Sequence, residues 1–209
     1  MLREPDALSI VQLHDATLAR KGWPDDSSEP VMPGAWCWIH ANHRYNSLLW
    51  NEEDKARRTD VGPGEIANSK RLIDRHNQRR NDAIESIDEA ILALLPDVEA
   101  TADARLSSET AGAMVDRLSI LALKICHMRL QTLRADAGAL HVQTCTAKLN
   151  RLQTQRHDLA CCLDQLMREA RVGRAYFKIY RQFKMYNDPS LNPYLYGRQA
   201  ATDAGTSTQ

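Results

Sequence analysis

The stretch "SKRLIDRHNQRRNDAIESIDEAILALL", residues 69–95, decides how this chain folds. With Ile66 in front of it, the positions Ile66, Lys70, Ile73, Asn77, Arg80, Ile84, Ile87, Ile91 and Leu94 fall at alternating steps of four and three. That spacing is one stripe of an amphipathic helix with a heptad-like seam. Asn77 and Arg80 occupy the stripe where apolar side chains belong. An amide and a guanidinium held there need buried partners, water or a ligand, because an unpaired buried charge is prohibitive.

Working outward, the same helical period recurs. A helix is expected from about Ala35 to Arg58, closed by "TDVGPG", and the quoted one from about Glu65 to Leu95, stopped by Pro96. A third follows cap-like Ser108 to about Arg134, and a fourth spans about His141 to Arg171 after "ADAG". "PDALSIVQLHDATLARKG" reads as a short N-terminal helix, and "VGRAYFKIYRQFKMY" as a C-terminal one ended by "NDPSLNP". Strand-like alternation is not read anywhere. The expected fold is all-α: an antiparallel bundle of about four long helices, with the N-terminal helix and a C-terminal aromatic and basic helix added. The expected organisation is an N-terminal helix and loop over 1–34, a bundle domain over 35–197 and a disordered tail over 198–209.

Charge is balanced, 27 Lys and Arg against 27 Asp and Glu, which disfavours a generic nucleic-acid or membrane-surface binder. Arg3, Glu4 and Asp6 interrupt any secretory apolar core, and no apolar run reaches spanning length, so a cytoplasmic protein without membrane insertion is expected. Cys37, Cys126, Cys145, Cys161 and Cys162 show no paired zinc spacing and read as reduced thiols.

The fourth helix carries its own seam, Cys145, Leu149, Leu152, Arg156, Leu159, Leu163, Leu166 and Ala170, with Arg156 as the interruption. "RHNQRRNDAIESID" (75–88) lies over "RLQTQRHDLACCLD" (151–164), matching Arg75 with Arg151, Arg80 with Arg156, Asp82 with Asp158 and Asp88 with Asp164, a pattern of internal duplication. On the first long helix one stripe holds Trp38, Ala41, Tyr45, Leu48, Leu49 and Ala56 with Glu52 embedded. A second runs His43, Asn46, Trp50, Glu53, Arg57, flanked by Asp54. The third long helix is apolar nearly all round and should be central. One of its faces reads Asp116, Ile120, Leu123, His127, with Ser119 and Lys124 at the margins.

These groups leave two readings open. Arg80 and Arg156 form a pair of forks gripping a phosphate or carboxylate ligand; or they make buried salt bridges to Glu53 or Asp116 in an inert network that fixes register. His40-x-x-His43 lies only partly on one face and has no zincin-like Glu, so neither a metal site nor a cofactor is expected. Glu52, Glu53 and Asp54 with Asp116 or Asp82 would serve a Mg²⁺-dependent phosphohydrolase only if about four acids converged on one point. His127 reads either as a satisfied core histidine or as a base. In the last segment Tyr176, Phe177, Tyr180, Phe183 and Tyr186 alternate with Lys178, Arg181 and Lys184; docking aromatics with a cationic rim is preferred to single-strand nucleic-acid reading.

"NSLLWNEEDKARR", "IDRHNQRRNDAIESID", "SSETAGAMVDRLSILALKICHM" and "FKIYRQFKMYNDPSLNPYLY" together resemble the bacterial domain of unknown function 4254 family over roughly Trp38 to Tyr196. Asn46, Trp50, Glu53, Asp54, Arg57, Asn77, Arg80, Asn81, Asp82, Asp116, Arg117, Lys124, His127, Lys178, Arg181, Lys184, Asn187 and Asp188 carry the resemblance. It implies a cytoplasmic all-helical protein with no assigned reaction, in the setting of lipopolysaccharide or other surface-glycan biosynthesis.

The expected function is a polar cleft for an anionic small molecule, a sugar nucleotide or sugar phosphate. Asn46, Asp54, Asn77, Arg80, Asp116, Lys124 and Arg156 are its candidate ligands, and Glu53 and His127 the candidate proton-transfer groups. Lys178, Arg181, Lys184, Asn187 and Asp188 would form a lid or a partner surface. The alternative is a non-enzymatic adaptor docking a protein through the aromatic and basic segment.

Overall fold

A computed structural model of the chain describes residues 4–25, 32–95, 98–181 and 188–195. The fold is all-α. Helix α1 spans Ala7–Leu18, α2 Ala35–Lys55, α3 Pro63–Leu92, α4 Ala111–Thr132 and α5 Ala139–Ala170. Among the described residues no helix is long and apolar enough to cross a membrane.

Each helix starts where its flanking chemistry allows. Asp6 caps α1 by accepting from the Ser9 N–H at 2.9 Å. Pro63 opens α3, with Glu65 in its first turn. The cap of α4 is Thr110, which accepts from the Ala113 N–H at 3.1 Å, two residues beyond the expected Ser108. A second anchor at that end is Asp88 of α3, whose Oδ1 accepts from the Gly112 N–H at 2.6 Å. Gly112 is required here. A Cβ on it would stand 2.4 Å from the Ile84 carbonyl oxygen, so α3 and the start of α4 approach backbone to backbone.

Two hairpins, α2–α3 and α4–α5, supply most of the packing. Helix α4 touches each of the other four, the central place its all-round apolar sequence implies. Leu118 and Val115 of α4 are fully buried with Ile39 of α2, Ile87 and Ile91 of α3 and Leu163 of α5. Side chains of this size stabilise the fold by about 1.5–3 kcal/mol each on burial. Helix α1 packs on α4, α5 and α2 and adds Ala7 and Ile10 to the same core. Helix α5 meets neither α2 nor α3. Lys70 and Leu94, both on the α3 stripe, are exposed, so the buried seam runs from Ile73 to Ile91.

The expected C-terminal helix is corrected by the structure over 172–181. Gly173, at φ +69°, ends α5 by a left-handed turn, and a Cβ there would meet the Glu99 carbonyl oxygen at 2.3 Å. Ala175–Tyr176 then forms a strand, β2, parallel to β1 at Arg105–Leu106. The physical reason is legible in "AYFKIY": Ala175 and Phe177 are buried while Lys178 is exposed, an alternation of period two in residues read as a helical stripe. Residues 182–187 lie outside the described residues, as does the 198–209 tail. The described residues from Tyr180 onward, 180–181 and 188–195, belong to a second unit. Its described part is a turn in which Asp188 accepts from the Ser190 N–H at 2.8 Å and Asn192 from the Tyr194 N–H at 2.9 Å.

Candidate functional site

The polar face of α2 comes to rest against α3 and α4. Asn42 and Asn46, one turn apart, both donate from Nδ2 to Asp116 Oδ1 at 2.9 Å. Asn46 Nδ2 also lies 3.0 Å from Ser119 Oγ, which in turn lies 2.7 Å from His43 Nδ1. Asp116, Asn42, Asn46, His43 and Ser119 are all buried. The Asp116 carboxylate therefore has two fixed amide donors and does not depend on an arginine for its charge.

Arg80 stands at the edge of this network. Its Nε is 4.0 Å from Asp116 Oδ1, a long ion pair, and that Nε is buried without a hydrogen-bond partner among the described residues. Its Nη2 donates to Asn81 Oδ1 at 3.2 Å. The guanidinium is thus held at one corner and left incompletely satisfied beside open space.

That space is a cleft of about 410 Å³ lined by Asn46, Leu49, Trp50, Glu53, Asp54, Arg57, Asn77, Arg80, Ile120 and Leu123. Four of the seven expected binding residues, Asn46, Asp54, Asn77 and Arg80, line it, and Asp116 lies directly behind. Glu53, a candidate proton-transfer group, also lines it and pairs with Arg57 at 3.1 Å. The second stripe read on α2 is the cleft-facing one, since Asn46, Trp50, Glu53 and Arg57 all open onto it.

Beside the cleft, sharing Trp50 and Asp54 with it, lies a groove between α2 and α5 floored by α4. Lys124 and His127 line this groove. The His127 ring stacks on Trp50 with centroids 4.4 Å apart, and the indole N–H of Trp50 is buried without a partner. Burial holds the His127 pKa below its ordinary value, with nearby Asp54 acting in the opposite sense. The imidazole is accordingly neutral near pH 7.

Arg156 does not join this site. It pairs with Asp15 of α1 at 2.7 Å, on the side of α5 that faces α1. The positions aligned between α3 and α5 meet different helices. Arg80 faces Asp116 of α4 while Arg156 faces Asp15 of α1; Asp88 binds the N-terminal backbone of α4, and Asp164 Oδ1 accepts from the Ala7 N–H of α1 at 3.0 Å. Matched residues do matched work at two places, because α3 and α5 do not touch.

Other expected residues disperse as well. Lys178 is exposed and sits 5.9 Å from the Tyr176 ring centroid. Arg181 is exposed, Asp188 belongs to the turn described above, and Lys184 and Asn187 lie outside the described residues. Glu52 turns away from the cleft toward Lys55 at 2.7 Å and Ser69. Among the described residues no group of three or more His, Cys, Asp or Glu side chains is placed to hold a metal ion. The convergence that a magnesium phosphohydrolase needs is therefore not found among them.

Three features were not anticipated. Asn42 was missed although its spacing from Asn46 places it on the same face. His14 and His43 are fully buried and stacked at 4.4 Å, and Trp23 packs on the other side of His43 at 5.5 Å. Burial lowers both pKa values, that of His43 to about 3. Lys148 and Arg151 of α5 face the groove, a placement signalled only by their three-residue spacing.

No curated protein and no solved structure gives a match to the chain. Residues 36–179, which hold α3, α4, α5, all of α2 but its first residue, and every residue lining the cleft, match the family described as "Protein of unknown function (DUF4254)". With well over half of its length matched, the chain belongs to the DUF4254 family.

Proposed function

We propose that the protein binds an anionic small molecule, a sugar nucleotide or a sugar phosphate, in the cleft between α2, α3 and α4, and that it serves surface-glycan biosynthesis of the lipopolysaccharide kind in the bacterial cytoplasm. One observation carries the reading. Arg80 has a buried, unpartnered Nε and only a long ion pair, while the carboxylate behind it is already satisfied by two asparagines. A guanidinium kept for structure would use its donors on Asp116; this one faces the cleft. Arg80 takes the anion in the cleft and Lys124 meets it from the adjoining groove in this reading, and Asn46, Asp54 and Asn77 hold hydroxyls. Glu53 and neutral His127 are the groups able to move a proton, so any turnover should be lost in Glu53→Gln while binding persists.

A second reading, an adaptor that docks a protein partner, draws on the exposure of Lys178, Tyr180 and Arg181. The two separate in one experiment. Thermal unfolding is followed against UDP-glucose, GDP-mannose, glucose 1-phosphate and MgCl₂. A ligand at a hundred times its dissociation constant adds about 2.7 kcal/mol of stability. The binding reading expects a shift with a sugar nucleotide or sugar phosphate in the wild type that shrinks in Arg80→Met. No shift from any sugar nucleotide or sugar phosphate contradicts it and turns attention to protein partners.

A further inference from the structure

The groove beside the cleft measures about 610 Å³, within the size of small-molecule sites, and it exists because α2 and α5 do not meet across α4. Its chemistry differs from that of the cleft. The cleft offers carboxylates, amides and guanidinium groups, a set suited to hydroxyls. The groove instead gathers Lys124 from α4 and Lys148 and Arg151 from α5. Among the described residues none of these three has a carboxylate partner. Asp54, at the wall shared with the cleft, is the one acid on the groove lining.

Three unpaired cations on two helices fit a group with two or more negative charges, as a diphosphate has. The rest of the groove surface is not what a phosphate alone would need. The Trp50–His127 stack lies nearly parallel, at 12°, and Met128 and Leu152 extend its apolar surface. A flat heteroaromatic ring packs well on such a surface. Gln131 and Gln155 stand on the same lining, and each amide both donates and accepts, matching the mixed edge of a nucleobase.

We infer that the groove is a subsite for a nucleoside diphosphate, with the phosphates on Lys124, Lys148 and Arg151, the base against Trp50, His127 and Leu152, and the hydroxyl-bearing remainder of the ligand passing Asp54 into the cleft. The inference rests on the proposed reading of the cleft and narrows it, because a simple sugar phosphate would leave the groove unused. It also replaces Arg156, which faces α1, with Lys148 and Arg151 as the phosphate-binding cations of α5.

Calorimetric titration of the whole chain with UDP, GDP, pyrophosphate, UDP-glucose, GDP-mannose and glucose 1-phosphate tests it, in the wild type, in Arg80→Met and in the double variant Lys148→Gln/Arg151→Gln. Both groove residues are exposed, so the double variant should unfold at the wild-type temperature. The expected result is binding of UDP or GDP that weakens at least tenfold in the double variant and less than threefold in Arg80→Met. Pyrophosphate should bind at least tenfold more weakly than the nucleoside diphosphate. Glucose 1-phosphate binding that is lost in Arg80→Met, together with UDP and GDP binding that is absent or unchanged in the double variant, would overturn the subsite while leaving the cleft reading standing. Pyrophosphate binding equal to that of the nucleoside diphosphate would overturn the base subsite. Failure of every compound to bind overturns both.

Discussion

Asp116 and Arg80 show how much one contact distance changes the meaning of a charged pair. Both were read from the sequence as interruptions of apolar faces, which is correct, and their proximity was legible because each faces the bundle interior. What sequence spacing could not show is that Asn42 and Asn46 both reach Asp116 Oδ1 first, leaving Arg80 at 4.0 Å. Hydrogen-bond choice among competing donors depends on ångström-scale side-chain positions that no periodicity encodes. The consequence is testable on Asp116. Replacing it by Ala removes the acceptor of two buried amides and the nearest counter-charge of Arg80, and should destabilise the protein by about 2–3 kcal/mol in urea unfolding. A cost below about 0.5 kcal/mol would mean that the network relaxes freely and is not rigid.

At the scale of elements, the helices were legible because a 3.6-residue period sustained over thirty residues in α3 has no other physical meaning. The segment after α5 was not. Its aromatics satisfy a helical stripe and a strand alternation equally, and the deciding feature is a single glycine whose left-handed turn redirects the chain. Arg156 was misplaced for a related reason: sequence patterns assign a residue to a face of its own helix but not to the helix that covers that face. Close approach makes a sharper prediction here. Gly112→Ala improves intrinsic helix propensity, yet its Cβ would lie 2.4 Å from a backbone oxygen of α3, so it should cost about 1–3 kcal/mol. Gly64→Ala in the first turn of α3 meets open space and should be neutral or gain up to about 1 kcal/mol. Equal effects of the two substitutions in urea unfolding would contradict the packing described for α3 and α4.

The whole molecule carries a pH signature. His14 and His43 are fully buried in one stack between α1 and α2, where the charged form is disfavoured, so their folded pKa values lie below the ordinary 6.5. As pH falls the unfolded chain takes up these protons first. The stability present above pH 6.5 is therefore lost progressively on acidification, over a window that for His43 runs down to about 3. Two such groups imply a loss of about 2–3 kcal/mol between pH 7.5 and pH 5.5. Burial moves Asp88 the other way, raising its pKa, so its ionised form opposes folding and acid relieves that cost. Its effect on stability is opposite in sign to that of the two histidines. His14→Phe should remove about 1.4 kcal/mol of the pH dependence over this interval, and an unchanged slope would show that His14 is not buried neutral.

The account turns on whether Arg80 serves a ligand or the fold, and the equilibrium stability of Arg80→Met decides between them most directly. Because Asp116 keeps its two asparagine donors, the variant should unfold in urea within about 1 kcal/mol of the wild type while its shift with UDP-glucose, GDP-mannose or glucose 1-phosphate shrinks. A loss of about 3–5 kcal/mol without any ligand present, the cost of leaving a buried charge alone, would contradict the account and make Arg80 a structural member of an ion-pair network.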